Sequence, residues 1–224
     1  MLIPGGPLPL GQRTYLGSFA QLIAGQGALV FAADYRSGPE YGGGSPRTFQ
    51  DVACAIRFAR ATAPRYGGDP GRVVLAAHSF GGFPAAVVTL SPTEVALDAA
   101  SCLAPTGSGR PDAFVGIDAI YSLDAILPDF LDRFFGGPRT DRPDEWNAGD
   151  PSVLLSQPGT PAVPIRLVQG ARDMTVRPEA SLAFQARLRE AGHDVTLTTI
   201  EDADHTRVLS HPATVAAVLA ATGS

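Results

Sequence analysis

The chain has 224 residues, of which 45% are hydrophobic and 17% charged, and its formal net charge at pH 7 is −5. These values are typical of one globular domain with a substantial core and exclude an intrinsically disordered chain. The negative charge argues against a nucleic-acid-binding surface. The sequence contains no run of 18 apolar residues, so no membrane-spanning helix is predicted.

Strand-like and helix-like segments alternate along most of the chain. Continuous apolar runs predict strands buried on both faces, and apolar positions at helical spacing predict the helices between them. In chain order, the predicted elements are strand 1–3, helix 13–24, strand 28–33, helix 46–66, strand 73–77, helix 83–90, strand 113–121, strand 163–170, helix 178–191, strand 195–200 and helix 211–221. This alternation predicts a single α/β domain over 1–224, with a mostly or wholly parallel sheet and helices on both faces.

Residues 123–160 interrupt the alternation. The segment is rich in proline, and we predict one helix in it, around 129–135. Because the segment is rich in proline and too short for a large helical lid, we interpret it as a short, irregular, cap-like segment. Its apolar residues, which we expect to contribute to a shallow pocket and to the core, are Leu127, Phe130, Phe134, Phe135 and Trp146.

The most informative stretch follows the predicted strand at 73–77. There, Ala77-His78-Ser79-Phe80-Gly81 joins this strand to the next helix. A strand, a tight turn bearing one serine and a helix make up the nucleophile elbow, whose usual pattern is G-x-S-x-G. Ala77 replaces the first glycine, which is a small change because alanine is the next smallest residue. A simpler interpretation makes Ser79 a cap of the following helix.

A serine hydroxyl is a poor nucleophile unless a base accepts its proton and a third group orients that base. His205 lies in the loop between the last strand and the last helix, and Asp173 directly follows the preceding strand. Both loops leave a parallel sheet at the same edge as Ser79, so Ser79, Asp173 and His205 are the predicted catalytic residues. The competing acids are Asp202 and Asp204, which we expect to shape the loop. The alternative for His205 is an ordinary surface histidine.

Hydrolysis through a serine also needs N–H groups that bind the negatively charged oxygen of the tetrahedral intermediate. The N–H of Phe80, immediately after the nucleophile, is the first candidate. The second is expected in the turn Pro4-Gly5-Gly6-Pro7. Since Pro7 has no N–H, we favour Gly6 and then Gly5. The same sequence also suits an ordinary tight turn.

A set of motifs spread over nearly the whole chain points to one family. They are Gly5-Gly6, Gly11, Asp34-Tyr35-Arg36, Asp51, residues 66–73, residues 78–82, Gly170, Asp173 and Asp204-His205. In combination they resemble the α/β-hydrolase carboxylesterases, in particular the bacterial group with hormone-sensitive-lipase-like and feruloyl-esterase-like members. The resemblance implies the α/β-hydrolase fold.

The resemblance also implies an activity. It is that of a serine carboxylesterase that acts through a covalent acyl-enzyme, without a metal or an organic cofactor. Because the cap-like segment at 123–160 is short, we expect the substrates to be small-to-medium acyl esters. An amidase, a peptidase or an arylformamidase that uses the same residues is an alternative. A second alternative is a non-catalytic binding module of the same fold.

Two features depart from the family. Pro4 occupies the position at which the oxyanion motif normally has histidine. Family members also have two strands and the start of a third before this motif, whereas residues 1–3 alone precede it here. Either the sequence is truncated or the fold is reduced at its amino terminus. A reduced fold leaves the uncharged strand at 28–33 as an unprotected sheet edge, and we expect a homodimer or higher oligomer to cover it.

The two cysteines, Cys54 and Cys102, have no metal-ligand spacing. Cys54 lies in the helix predicted at 46–66, and Cys102 lies in the segment after the helix at 83–90. Crossover rules allow both to lie on one face of the sheet, so we predict a disulfide, with two separate buried thiols as the alternative. No signal peptide is visible, so the localisation is open: cytoplasmic by default, and extracytoplasmic if the cysteines are bridged.

Overall fold

A computed structural model of the protein describes residues 1–6, 12–95, 102–104 and 106–223. Pro7 and Gly11, which the sequence analysis names, lie outside the described residues. The described strands form one parallel sheet of five strands, and their spatial order is their order in the chain. They are β1 (Leu2–Ile3), β2 (Val74–His78), β3 (Ala113–Ile117), β4 (Ile165–Gly170) and β5 (Val195–Ile200). The prediction of a parallel α/β sheet is therefore confirmed.

Helices occupy the connections between these strands. The described α-helices are α1 (Gly17–Ala24), α2 (Arg47–Thr62), α3 (Gly82–Leu90), α4 (Pro128–Phe135), α5 (Pro143–Ala148), α6 (Pro151–Leu154), α7 (Pro178–Glu190) and α8 (Pro212–Thr222). The helices α4 to α8 each begin with proline, whose fixed φ suits the first turn and whose missing N–H is not needed there. No helix among the described residues combines the length and the apolarity needed to cross a membrane.

The core is divided by the sheet into two layers of buried apolar side chains. On one face, Leu75 and Ala77 of β2 belong to the same cluster as the buried side chains of α2, α3 and α4. On the other face, Val74 and Ala76 of β2 belong to the cluster that includes α1 and α8. Successive side chains of a strand point to opposite faces, so the apolar residues Val74 to Ala77 of β2 supply both layers at once.

Residues 28–33 do not form the regular strand that their apolar sequence predicts. One bridge, between Leu2 and Ala32, joins them to β1 in parallel orientation. The Leu2 N–H donates to the Phe31 carbonyl at 2.7 Å, and the Ala33 N–H donates to the Leu2 carbonyl at 3.2 Å. The cause is the length of β1, because a two-residue neighbour has backbone groups for little more than one bridge. Among the residues that the structure describes, the segment nevertheless lies at the edge of the sheet, on the side of β1 opposite β2.

Residues 123–160 contain more helix than the sequence analysis predicts. The helix expected around 129–135 is α4, but α5 and α6 also form, and both begin at a proline. The side chain of Asp150 caps α6 by accepting the Ser152 N–H at 2.9 Å. Here the prolines start short helices, whereas the sequence analysis took their density as a sign of irregular structure.

Cys54 and Cys102 form the predicted disulfide, with an S–S distance of 2.01 Å and a Cα–Cα distance of 5.7 Å. Cys54 lies on α2, and Cys102 lies in the segment after α3. One turn after Cys54 on the same helix, the Arg57 guanidinium donates to the Gly107 carbonyl at 2.6 Å and pairs with Glu94. The bridge therefore adds a covalent link where α2 and this segment are already joined by polar contacts.

Breaking the disulfide is expected to lower the free energy of unfolding by about 2–4 kcal/mol, because the bridge closes a loop of 48 residues in the unfolded chain. The measurement is urea denaturation with and without reductant, with a Cys54→Ala/Cys102→Ala variant as the control that reductant should not affect. Thiol titration of the denatured wild type without reductant should find no free thiol. Two free thiols would contradict the bridge.

Candidate active site

Ser79 follows β2 directly and has a φ of 55°, in the left-handed region that residues other than glycine rarely adopt. A short 3-10 turn, Ser79–Gly81, connects it to α3. A Cβ at Gly81 would lie 2.3 Å from the Pro4 carbonyl oxygen, so the turn approaches β1 too closely for any side chain there. The turn thus has the strained strand-to-helix geometry that the sequence predicts.

The interpretation of Ser79 as a simple helix cap finds no support. The residue at the N-cap position of α3 is Gly81, and no side-chain hydrogen bond caps that helix. The Ser79 hydroxyl instead lies 2.9 Å from Nε2 of His205. The two residues are 126 positions apart in the chain, so this contact depends on the tertiary fold.

His205 contacts Ser79 and Asp173 through its two ring nitrogens. Its Nδ1 lies 2.7 Å from Oδ2 of Asp173, while its Nε2 faces the Ser79 hydroxyl. A carboxylate accepts hydrogen bonds, so Nδ1 carries the proton of the neutral ring and Nε2 is left as an acceptor. The structure therefore brings the three side chains that the sequence selects into one continuous series.

Asp173 is fixed in place by its own turn. Its side chain is fully buried, and its Oδ1 accepts the N–H groups of Thr175 at 2.7 Å and Val176 at 2.9 Å. The two rival acids are engaged elsewhere. Asp204 accepts the N–H groups of residues 206 and 207 in its own loop, and the Asp202 carboxylate lies 3.8 Å from the ring of His211.

The three residues proposed for the oxyanion hole adjoin Ser79 in different ways. Phe80 is the next residue in the turn. Gly5 packs directly against Ser79, since a Cβ on Gly5 would lie 3.0 Å from Cβ and 3.4 Å from Oγ of Ser79. Gly6 follows at a bend and is partly exposed. The Pro4 carbonyl accepts a hydrogen bond from the buried Tyr35 hydroxyl at 3.1 Å, which anchors the turn.

His78 was not singled out by the sequence analysis, although it contacts His205. Its Nε2 lies 2.9 Å from the carbonyl of His205. Its ring lies tilted beside the His205 ring, with the ring centroids 4.6 Å apart, and stacks on the Tyr15 ring at 5.8 Å. Burial, and then the neighbouring His205, lower the pKa of His78 to about 4. His78 is therefore neutral at pH 7 and donates from Nε2 to the backbone of His205.

Asp118 is the second residue that the sequence analysis missed. It immediately follows β3, is fully buried, and has a φ of 42°. The sequence signal is a single acidic residue within the strand predicted at 113–121, which in the structure ends earlier, at Ile117. Such residues are common where strands end, so this signal alone does not separate Asp118 from an ordinary loop residue.

Among the described residues, one group of three side chains has the atoms and spacing that metal binding requires, and it lies at this site. Ligand atoms of Asp118, Asp173 and His205 all lie within 4.8 Å of one another. Both ring nitrogens of His205 already face other side chains, Ser79 and Asp173. The arrangement therefore favours proton transfer along hydrogen bonds rather than coordination of an ion by the imidazole.

Comparisons with known proteins agree with this geometry. Residues 1–218 match the alpha/beta hydrolase family. Esterase LipC of Mycobacterium tuberculosis (strain ATCC 25618 / H37Rv) is 30% identical over 199 residues, which cover 84% of this chain and 47% of LipC. Esterase LipQ of the same organism is 27% identical over 195 residues, which cover 85% of this chain and 45% of LipQ. The chain thus spans about half the length of these curated relatives.

Solved structures give the same result. The butyrate-bound esterase Est2 of Thermogutta terrifontis has a TM-score of 0.69 and 25% identity, covering 91% of this chain and 72% of Est2. The propionate-bound form of Est2 has a TM-score of 0.66 and 26% identity, with the same coverage. The fold, the strained serine turn and the family match over residues 1–218 lead to one conclusion: this chain belongs to the alpha/beta hydrolase family.

Proposed function

We propose that this chain is a serine carboxylesterase that hydrolyses small-to-medium acyl esters through a covalent acyl-enzyme. One observation carries the proposal: a continuous series of close contacts runs from the Ser79 hydroxyl through both nitrogens of His205 to the buried Asp173. The esterase names of the similar proteins support the same activity.

In the first half of the proposed reaction, the Ser79 oxygen attacks the carbonyl carbon of the ester. Nε2 of His205 accepts the serine proton, and the positive charge that develops on the ring faces the Asp173 carboxylate. The carbonyl oxygen becomes negatively charged, and the N–H groups of Phe80 and of Gly6 or Gly5 bind it. His205 then gives its proton to the departing alcohol, which leaves the acyl group on Ser79.

The second half repeats these roles with water in place of serine. His205 removes a proton from the water, whose oxygen attacks the acyl carbon, and the proton then returns to the Ser79 oxygen as the carboxylic acid leaves. The residues named here supply the nucleophile, the base and the charge stabilisation, so the proposed cycle requires no metal or organic cofactor.

A small or medium acyl group is favoured by how the apolar residues of 123–160 are used. Phe130, Phe134, Phe135 and Trp146 are buried in the core, while Leu127 has 76% of its surface exposed. Few of these side chains therefore remain to line a long acyl channel. The butyrate and propionate bound in structures of Est2 support the same preference.

Replacing the nucleophile is the direct test of the mechanism. Ser79→Ala is expected to lower kcat for 4-nitrophenyl butyrate by at least about 10³-fold, because the covalent route is removed. A fluorophosphonate probe should label the wild type and not the variant, and circular dichroism should show an unchanged fold. Ser156→Ala is the matched control, since Ser156 is an exposed serine at the end of α6. Activity of Ser79→Ala within tenfold of the wild type would reject the assignment.

The acyl preference is tested with 4-nitrophenyl esters of increasing chain length. We expect kcat/KM to be greatest for acyl groups of roughly two to six carbons and about tenfold lower or more at twelve, because the pocket has few apolar side chains to spare. A rate optimum at twelve or more carbons would refute this preference.

The 4-nitroanilide of the best acyl group tests the amidase and peptidase alternatives, and a formylated aryl amine tests the arylformamidase alternative.

We also propose that a second copy of the chain covers the sheet edge at 28–33. The carbonyl of Phe31 and the N–H of Ala33 face β1, so the backbone groups of Val30 and Ala32 point away from it. In the described part of the chain, these outward groups have no hydrogen-bond partner. Residues 28–33 carry no charge, so two antiparallel copies related by a two-fold axis pair without repulsion.

A groove lies beside this edge and is well separated from the triad. Its volume is about 900 Å³, and Leu29, Phe31, Tyr66 and Val218 contribute to its walls. It also touches Val74, the first residue of β2, whereas Ser79 follows the last residue of that strand. The apolar surface offered to a second copy is thus at the opposite end of the sheet from the catalytic residues.

The dimer is tested by sedimentation velocity at micromolar concentration. Leu29→Glu places a charge on the 40% exposed side chain of Leu29 and is expected to raise the dimer dissociation constant at least about tenfold. Leu182→Glu, on α7, is the control at a position that is 53% exposed. A wild-type chain that sediments as a monomer at every concentration would disprove the dimer, and equal effects of the two substitutions would place the interface elsewhere.

A further inference from the structure

Asp118 lies at the carboxyl end of β3 in a conformation set by its neighbours. Its φ of 42° lies in the left-handed region, and its backbone N–H donates to the Val168 carbonyl at 2.9 Å. One carboxyl oxygen, Oδ1, accepts the N–H of Gly170 at 2.7 Å. These two bonds fix the residue between β3 and β4 and determine where its second oxygen lies.

The second oxygen, Oδ2, is buried and has no hydrogen-bond partner among the described residues. It lies close to Gly170, where an added Cβ would be 3.3 Å away. A buried carboxylate oxygen without a donor costs free energy, because water is lost and nothing replaces it. A protonated oxygen at this position becomes a donor and needs an acceptor instead.

The nearest acidic side chain is that of Asp173. One carboxylate oxygen of Asp118, one of Asp173 and one ring nitrogen of His205 all lie within 4.8 Å of one another. Two ionised carboxylates at this distance, both fully buried, repel each other strongly, and a single shared proton removes the repulsion. Asp173 already accepts hydrogen bonds from two backbone N–H groups and from His205, which favour its charged form. The proton therefore belongs on Asp118.

We propose that Asp118 is a positioning residue of the triad: its neutral carboxylic acid directs a proton toward the Asp173 carboxylate and leaves that carboxylate as the single ionised partner of His205. The role rests on the proposed function, because it acts through Asp173 and His205 and requires no contact with the substrate. In this proposal Asp118 is neutral and Asp173 is ionised.

The groups that face Asp118 agree with a neutral acid. Burial, and then the carboxylates of Asp173 and Asp204, raise the pKa of Asp118 to about 8, although the Gly170 N–H acts in the opposite direction. The remaining titratable groups nearby are His205 and Tyr121, and burial followed by the charge of Asp118 raises the pKa of the Tyr121 phenol. At pH 7 the neutral form of Asp118 therefore predominates.

The first arm of the test compares two substitutions by steady-state kinetics. Asp118→Asn keeps an acceptor for Gly170 and a donor toward Asp173, so we expect kcat at pH 7 within about threefold of the wild type. Asp118→Leu keeps the approximate volume but neither polar group, so we expect kcat to fall about tenfold or more with little change in KM. Equal kcat values for the wild type and both variants would overturn the positioning role.

The pH profile of Asp118→Asn separates a neutral Asp118 from an ionised one. The acidic limb of kcat/KM follows protonation of the essential base in the free enzyme. Because the proposed Asp118 is already neutral, Asp118→Asn should leave this limb within about 0.2 pH units of the wild type. Removing an ionised carboxylate from the site would move the limb to lower pH, so such a shift in Asp118→Asn would overturn the proposal.

The second arm measures stability and does not depend on ester hydrolysis. The folded-state pKa of Asp118 is raised above the unfolded value of about 4, so between these values the folded protein holds a proton that the unfolded chain releases. The wild type should lose stability relative to Asp118→Asn as pH rises. The ratio of their unfolding equilibrium constants should grow by up to about tenfold per unit between pH 5 and pH 7.

Asp144→Asn serves as the control for this arm, because Asp144 is an exposed residue in the first turn of α5. Its unfolding constant should keep a nearly constant ratio to that of the wild type over the same range. A constant ratio for Asp118→Asn as well would overturn the proposal. If the wild type hydrolyses no ester but the stability ratio changes as expected, the proposed function fails while the neutral state of Asp118 stands.

Discussion

The backbone conformation of Ser79 is the constraint on which the rest of the site depends. A φ of 55° costs of order 1–3 kcal/mol for a residue other than glycine, and it persists where the surroundings over-determine it. Here the Ser79 carbonyl accepts the Ile120 N–H at 3.0 Å, and Gly81 lies against the Pro4 carbonyl. A Cβ on Gly82 would lie 2.3 Å from Cβ of Ala119. The glycines after the serine therefore serve close packing on two sides.

The parallel sheet explains why residues from distant parts of the chain meet at this turn. Every strand of the sheet runs in the same direction, so the loops after β2, β3, β4 and β5 leave at one edge. They carry Ser79, Asp118, Asp173 and His205 respectively. The arrangement brings His205 to the Ser79 hydroxyl and the two carboxyl groups to His205, although no two of these residues are neighbours in sequence.

The same geometry determines what the sequence could predict. Ser79, Asp173 and His205 each lie directly after a predicted strand or in the loop that follows it, and selecting them needs only the direction of the strands, which alternating helices and strands fix. Asp118 could not be selected in this way, because its neutral state depends on the distance to Asp173 and on burial. The short β1 likewise limits the pairing of 28–33, which no property of that apolar run reveals.

His78 has a consequence for how the site moves. It ends β2 and precedes Ser79, while its ring lies beside the His205 ring and its Nε2 donates to the backbone of His205. Ser79 and His205 are thus both attached to the same residue at the end of β2. Thermal motion of the His205 loop should therefore change the separation between Ser79 and His205 less than it changes the position of the two side chains relative to a molecule bound beside them.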